Sequence, residues 1–123
     1  MATDFPKFKI DIRYNSLDYG PFSFDFTDAC PTDITVSDVT LRSFVGSVDI
    51  DDDLDDFTES TDELIDAAKT VVTGSYTVNA YFNFPTTAAY QGTRHSLVFE
   101  ITFSNEGTHN FYGRSIWVRE ATS

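Results

Sequence analysis

The chain has 123 residues and a mass of 13.8 kDa, a length typical of one domain (residues 1–123) with a buried hydrophobic core. Its 20 acidic and 8 basic residues give a formal charge of −12, which argues against nucleic acid or an anionic membrane as a partner, because both attract clustered Lys and Arg. A single cysteine excludes an internal disulfide framework. The sequence also lacks a membrane-spanning apolar run and a signal-peptide pattern, so nothing indicates export.

Alternation of apolar and polar residues predicts three strands in the first part of the chain. The first spans residues 8–12 and the second residues 22–26. The third spans residues 34–45, and its apolar positions change parity around Ser37 and Asp38. Such a change of parity indicates a β-bulge or a short turn within the strand.

Half of the acidic residues lie in one segment that follows these strands. Ten of the twenty acids fall between Asp49 and Asp66 with no base among them, whereas ten acids and eight bases elsewhere leave a net charge of only −2. Because the burial of unpaired carboxylates is costly, we expect residues 49–63 to form a solvated acidic loop.

Three carboxylates of this loop are candidate calcium ligands. Asp51, Asp53 and Asp55 have the spacing of the first ligands of an EF-hand loop, and Asp62 falls where such a loop ends. However, Asp56 stands where the EF-hand turn requires a glycine, and no helix is predicted before the loop. A true EF-hand is therefore not predicted, which leaves looser cation binding or contact with a basic partner.

One segment has helical rather than strand periodicity. Ser60 and Glu63 have the spacing of a capping box, in which each residue satisfies a backbone N–H at the start of a helix. The apolar residues that follow recur at helical intervals: Leu64, Ile65, Ala68 and Val71. These features predict one short helix over about residues 61–70.

Strand alternation returns in the second half of the chain. One predicted strand has a continuous apolar face: Tyr76, Val78, Ala80, Phe82 and Phe84. Another has the face Leu97, Phe99, Ile101 and Phe103. A short loop with Gly107 then leads into a last run over residues 111–118, so the final pair is predicted to be a β-hairpin. About seven strands and one short helix favour a mostly β fold, an immunoglobulin-like antiparallel β-sandwich.

The sequence shows no arrangement of residues typical of an enzyme. His95 and His109 lack the spacing of a metal site and are expected to be structural or exposed. Glu100 is expected on the solvent face of its strand, and Cys30 is expected to be a structural thiol. No nucleophile elbow and no phosphate-binding glycine loop is present, so neither catalysis nor a cofactor is predicted.

Aromatic residues outside the predicted apolar faces are the remaining candidates for recognition. These interaction candidates are Tyr14, Tyr19, Tyr81, Tyr90, Tyr112 and Trp117. Exposed Tyr and Trp side chains can form an interface hot spot or a sugar-binding platform, and they can equally cover the outer face of a sheet. Residues 1–6 are a further candidate contact, as an N-terminal arm that reaches a neighbouring molecule.

Three stretches resemble small sandwich domains of phages and prophages, such as the N-terminal domain of baseplate upper proteins. Residues 33–42, DITVSDVTLR, are similar to the opening D-[LI]-T-x-x-x-V-T-L-R of those domains. Residues 73–78, TGSYTV, resemble their G-x-Y-x-[VF] strand entry, and a closing hairpin follows at residues 97–103 and 110–119. The resemblance covers about residues 30–120; the acidic block and the first thirty residues depart from it.

The resemblance implies a non-enzymatic structural protein of a tailed-phage virion, made in the host cytoplasm and without catalytic residues. Among such proteins we favour a capsid cement (decoration) protein that stabilises the shell through contacts with the major capsid protein or other virion proteins, as a monomer or a homo-oligomer. A compact domain without heptads or fibrous repeats suits this role better than a tail fibre. The alternatives are a tail or baseplate accessory protein, a carbohydrate-binding or adhesin-like module, and a calcium-dependent interaction module.

Overall fold

The protein is mostly β-structure, as predicted. The computed structural model describes residues 10–13, 21–49, 51–83 and 92–119, with only the backbone course for residues 10–13 and 113–119. The strands in these residues are β1 (Ile10–Arg13), β2 (Phe22–Asp25), β3 (Val36–Val45), β4 (Val71–Thr73), β5 (Thr77–Ala80), β6 (Thr93–Phe103) and β7 (Thr108–Arg119). One short helix, α1 (Thr61–Leu64), and two 3-10 turns complete the described structure. In the part of the chain so described, no helix is long and apolar enough to cross a membrane.

The strands form two sheets. The four-stranded sheet has the order β1-β7-β6-β3, and the three-stranded sheet has the order β2-β5-β4. All pairs are antiparallel except β1 with β7, which run parallel with Ile10 opposite Ile116. The expectation of an entirely antiparallel structure is therefore wrong at this edge. Because β1 and β7 are far apart in the sequence, no tight turn imposes an antiparallel direction on them.

An apolar core joins the two sheets. The ring of Phe24 on β2 lies 5.0 Å from the ring of Phe99 on β6, and Phe26 contacts both Phe99 and Phe111 at 5.4 Å. The predicted apolar faces are confirmed at these buried residues: Val78, Ala80, Phe82, Leu97, Phe99, Ile101 and Phe103. Tyr76, the first residue predicted for one of these faces, is only half-buried and lies just before β5. Phe84 and the first residues of the earliest predicted strand, residues 8–9, lie outside the described residues.

Two local predictions about the strands are confirmed. The pairing of β3 with β6 shifts register between Val36 and Asp38, so the predicted bulge is present. β6 and β7 form the predicted hairpin, which closes with a 2.8 Å hydrogen bond from the Phe103 N–H to the Gly107 carbonyl. The Asn105 side-chain oxygen accepts from the Gly107 N–H at 3.1 Å and stabilises this turn.

The predicted helix over residues 61–70 is much shorter in the structure. α1 ends at Leu64, because Ile65 is extended (φ −105, ψ 129) and forms an isolated bridge with Phe82. The Asn83 N–H then donates to the Leu64 carbonyl at 2.8 Å, so contacts with a neighbouring segment replace helical ones. Because a ten-residue helix has little stability of its own, these tertiary contacts decide the conformation. Val71, the last apolar residue of the predicted pattern, begins β4 and is 47% exposed.

Candidate functional site

The acidic segment folds onto the outer face of the four-stranded sheet. We call residues 51–60, which carry six acids and no base, the acidic flap. Leu54, in a short 3-10 turn (Leu54–Asp56), and Phe57 pack as half-buried residues on the sheet. They contact an apolar outer cluster formed by Phe44, Val48 and Val98, with Tyr112 at its border. The underside of the acidic flap is therefore apolar.

The end of the acidic flap runs beside the edge of β3. The Val45 N–H donates to the Thr58 carbonyl and the Ser60 N–H donates to the Ser43 carbonyl, both at 2.8 Å. Side chains alternate between the two faces of such an extended segment. Consistent with this alternation, Glu59 bonds on the outer face of the sheet and Ser60 bonds on the inner face, next to the core.

A buried chain of hydrogen bonds holds Ser60 in place. The Ser43 and Ser60 hydroxyl oxygens are 2.9 Å apart, and the Ser60 hydroxyl lies 2.9 Å from His95 Nδ1. His95 Nε2 in turn lies 2.7 Å from the Thr93 hydroxyl. Ser43, Ser60 and His95 are each 0% exposed. These hydrogen bonds thus connect β3, the end of the acidic flap and β6 inside the protein.

His95 is neutral, and its imidazole connects the Ser60 and Thr93 hydroxyls in this hydrogen-bond network. Burial lowers the pKa of its imidazole from 6.5 to about 4, because the charged ring would lose its hydration. A neutral imidazole has one donor and one acceptor nitrogen, and hydroxyl groups can serve as partners for both. Ser60 and His95 are at the distance of a nucleophile and its general base, but both are fully buried, so a substrate cannot reach them in this arrangement.

The segment that leads into the acidic flap is also held by β6. The Ser96 hydroxyl donates to the Gly46 carbonyl at 2.8 Å and accepts from the Val48 N–H at 2.9 Å. Gly46 has a φ of +96°, which favours glycine, and its N–H donates to the Arg94 carbonyl at 2.8 Å. Two adjacent residues of β6, His95 and Ser96, therefore hold the two sides of the flap.

An arginine fastens the flap on the outer face. Arg42 donates two hydrogen bonds to the Glu59 carboxylate, at 3.0 and 2.7 Å, and a third to Glu100 at 2.9 Å. These hydrogen bonds raise the pKa of Arg42 and hold the pKa of Glu59 below its usual value. The Arg42 guanidinium also lies 4.9 Å from the centre of the Phe44 ring. Glu100 is on the outer face, as predicted, but it is part of an ion-paired cluster there.

The calcium candidates are not gathered into a ligand set. The Asp53 carboxylate accepts from the Asp55 N–H at 3.0 Å, and Asp52 accepts from the Asp49 N–H at 2.8 Å, so both carboxylates shape the local turns. Asp51, Asp53 and Asp55 are all exposed. Among the residues that the structure describes, no group of three or more His, Cys, Asp or Glu side chains is placed to hold a metal ion.

The aromatic candidates do not form a common surface where they are described. Tyr81 is half-buried beside Lys69, whose Nζ lies 5.9 Å from the ring centre, and it follows β5 of the three-stranded sheet. Tyr112 is half-buried against the outer cluster of the other sheet. Trp117 lies on β7 opposite Arg94, but its side chain is outside the described part. The remaining candidates lie outside the described residues: Tyr14, Tyr19, Tyr90 and the arm at residues 1–6.

The prediction of a capping role for Ser60 is wrong. Its side chain makes no cap hydrogen bond to α1, because the hydroxyl bonds with Ser43 and His95 instead.

The sequence did contain a signal for the buried hydrogen-bond network of Ser43, Ser60 and His95. His95 continues the apolar alternation of β6 two positions before Leu97, and Ser43 does the same two positions after Leu41. A polar residue that continues an apolar face is expected to be buried and hydrogen-bonded.

No protein-family model, curated protein or solved structure matches this chain. The geometry of the flap and its attachments, together with the surface charge, are therefore the observations that bear on function.

Proposed function

We propose that the protein is a non-enzymatic structural protein with an immunoglobulin-like β-sandwich, which acts through protein–protein contacts as a capsid cement or decoration protein of a tailed-phage virion. The observation that carries this proposal is the acidic flap, a strongly charged segment fixed on one sheet. Its apolar underside, the Arg42–Glu59 pair and the buried Ser60 hold it in one position.

A fixed acidic surface suits a basic protein partner. The flap presents five exposed aspartates in a short stretch: Asp51, Asp52, Asp53, Asp55 and Asp56. Charge complementarity guides association and fixes the register of the partners, and a surface that is already ordered loses less conformational entropy on binding. A protein that occupies many equivalent positions on a shell needs both properties.

The polar residues that resemble catalytic groups support a structural role. Ser60 and His95 are fully buried on the inner face of the four-stranded sheet, and their hydrogen bonds join three segments of the polypeptide. Arg42 and Glu100 form an ion-paired cluster with Glu59 on the outer face. In each case the side chains bind one another and stabilise the position of the flap.

Quantitative mass spectrometry of purified particles from the source lysate tests the virion role. Copies per particle are scaled to the major capsid protein. Hundreds of copies are expected for a cement protein, whereas a handful to a few dozen would move the protein to the tail or baseplate. Absence from the particles would overturn the proposal.

The contribution of the acidic flap is tested by adding the purified protein back to particles that lack it. The double variant Asp51→Asn/Asp56→Asn removes two exposed charges, and we expect binding about tenfold weaker because complementary charge is lost. The matched control Asp28→Asn/Asp33→Asn removes two exposed acids far along the chain from the flap. Equal binding by both variants would show that the flap is not the contact surface.

A further inference from the structure

The two sides of the acidic flap are attached to β6 by different chemistry. The Gly46–Val48 side depends on the Ser96 hydroxyl, which does not change its charge with pH. The Ser60 side depends on an imidazole, through the 2.9 Å contact of the Ser60 hydroxyl with His95 Nδ1. Of these two attachments, only the second therefore contains a group whose ordinary pKa, 6.5, lies near neutral pH.

We propose that the acidic flap is a pH-responsive strap, whose Ser60 end is released from the sheet when His95 is protonated while both sheets stay folded. Release would uncover the outer cluster of Phe44, Val48 and Val98, which Leu54 and Phe57 cover in the closed state. This inference does not depend on the virion role.

The physical basis is the cost of a buried charge. In the closed state the imidazole is fully buried and its ring nitrogens lie next to the neutral hydroxyls of Ser60 and Thr93. A charged ring is better solvated when the end of the flap moves away and admits water.

The direction of the pH effect follows from the pKa values of His95 in the two states. Its pKa is about 4 in the closed state and returns toward 6.5 when the ring is hydrated. The closed state is therefore fully favoured above the higher value and loses this advantage as the pH falls toward the lower one. Proton linkage then predicts that opening increases about 20-fold between about pH 7 and about pH 5.

The elements next to His95 also carry charged residues. They are Arg42 on β3, Glu59 on the flap, Asp62 and Glu63 on α1, Arg94 on β6, and Arg114 and Arg119 on β7. Arg42 holds the pKa of Glu59 below its usual value of 4.5, so this ion pair persists at the lower of the two pH values and is lost only at stronger acidity. The side chains of Arg114 and Arg119 lie outside what the structure describes.

Hydrogen–deuterium exchange of the full chain, measured by mass spectrometry and corrected for the intrinsic pH dependence, tests the strap. The informative amides are those of Val45 and Ser60, which bond across the junction of β3 and the flap. We expect their protection to fall about 20-fold between the two pH values, while the amides of β6 and β7 keep theirs. Unchanged protection at Val45 and Ser60, or an equal loss in β6 and β7, would overturn the proposal.

Two histidine variants distinguish release of the flap by His95 from a general effect of low pH on the protein. His95→Gln replaces the titrating ring by a neutral amide and is expected to abolish the pH response. His109→Gln changes the chain's other histidine, which is exposed, and is expected to keep the response in full. A response that survives in His95→Gln, or disappears in His109→Gln, would contradict the mechanism.

Ser96→Ala covers the case in which His95→Gln does not fold. It weakens the other attachment without removing a titrating group, so flap exchange is expected to rise by the same factor at both pH values. The response of Ser96→Ala to pH should then equal that of the wild-type protein, and a smaller response would count against His95 as the trigger.

Discussion

His95, Ser43 and Ser60 place an imidazole and two hydroxyls, all fully buried, among buried hydrophobic residues that are Phe, Leu, Ile, Val and Ala. No buried side-chain nitrogen or oxygen among the described residues lacks a hydrogen-bond partner. Removing one partner of a buried polar group exposes the other to its full desolvation penalty, whereas an intact pair contributes only modestly to stability. Single changes in this network are therefore expected to have large effects.

Ser60→Ala tests this sensitivity. The change removes a hydroxyl that serves both Ser43 and His95, so we expect the free energy of unfolding in urea to fall by about 1–3 kcal/mol. Ser47→Ala is the matched control, because Ser47 is exposed. If the two variants have the same free energy of unfolding, the buried hydrogen-bond network does not contribute to the stability of the fold.

At the level of the elements, the strands could be predicted because alternation reports directly which face is buried. The faces of β5 and β6 and the bulge of β3 were all visible in this way. The length of α1 and the existence of β4 could not be predicted, since both depend on hydrogen bonds with residues 81–83 and on pairing with β5. Helical periodicity over residues 64–71 carries no information about such distant partners.

The structure of the acidic flap, too, could be predicted only in part from the sequence. Its charge predicted exposure, and its aspartates are exposed. Its attachment was not predicted, because Leu54 and Phe57 are isolated apolar residues without a period. Together with Val48 they cover the outer face of β6. Val98 is therefore buried although it lies on the face of the sheet that is turned away from the main core.

Phe57→Ala tests the apolar attachment of the flap. Loss of this half-buried ring is expected to lower the free energy of unfolding by about 2 kcal/mol and to speed cleavage after the flap carboxylates by an acid-specific protease. Thr58→Ala changes the next side chain, which is exposed, and should leave the cleavage rate unchanged. Slow cleavage of Phe57→Ala would mean that the polar attachments suffice to hold the flap.

For the whole molecule, the charge of −12 is divided unequally between the acidic segment and a nearly neutral remainder. Like charges in one short segment repel each other, and dissolved cations screen this repulsion without a specific site. We therefore expect CaCl2 and MgCl2 at equal concentration to raise the thermal midpoint equally. A shift specific to calcium that disappears in Asp51→Asn/Asp53→Asn would show that the flap assembles a site on binding.

The parallel pairing of β1 with β7 has a mechanical consequence. Because both strands point the same way, a pull on the chain before β1 and after β7 draws them in opposite directions along their common axis. The inter-strand hydrogen bonds are then sheared together, whereas the strands of a hairpin pulled at its open end separate one bond at a time. The pairing of the first and last described strands is thus loaded in shear and resists stretching of the chain.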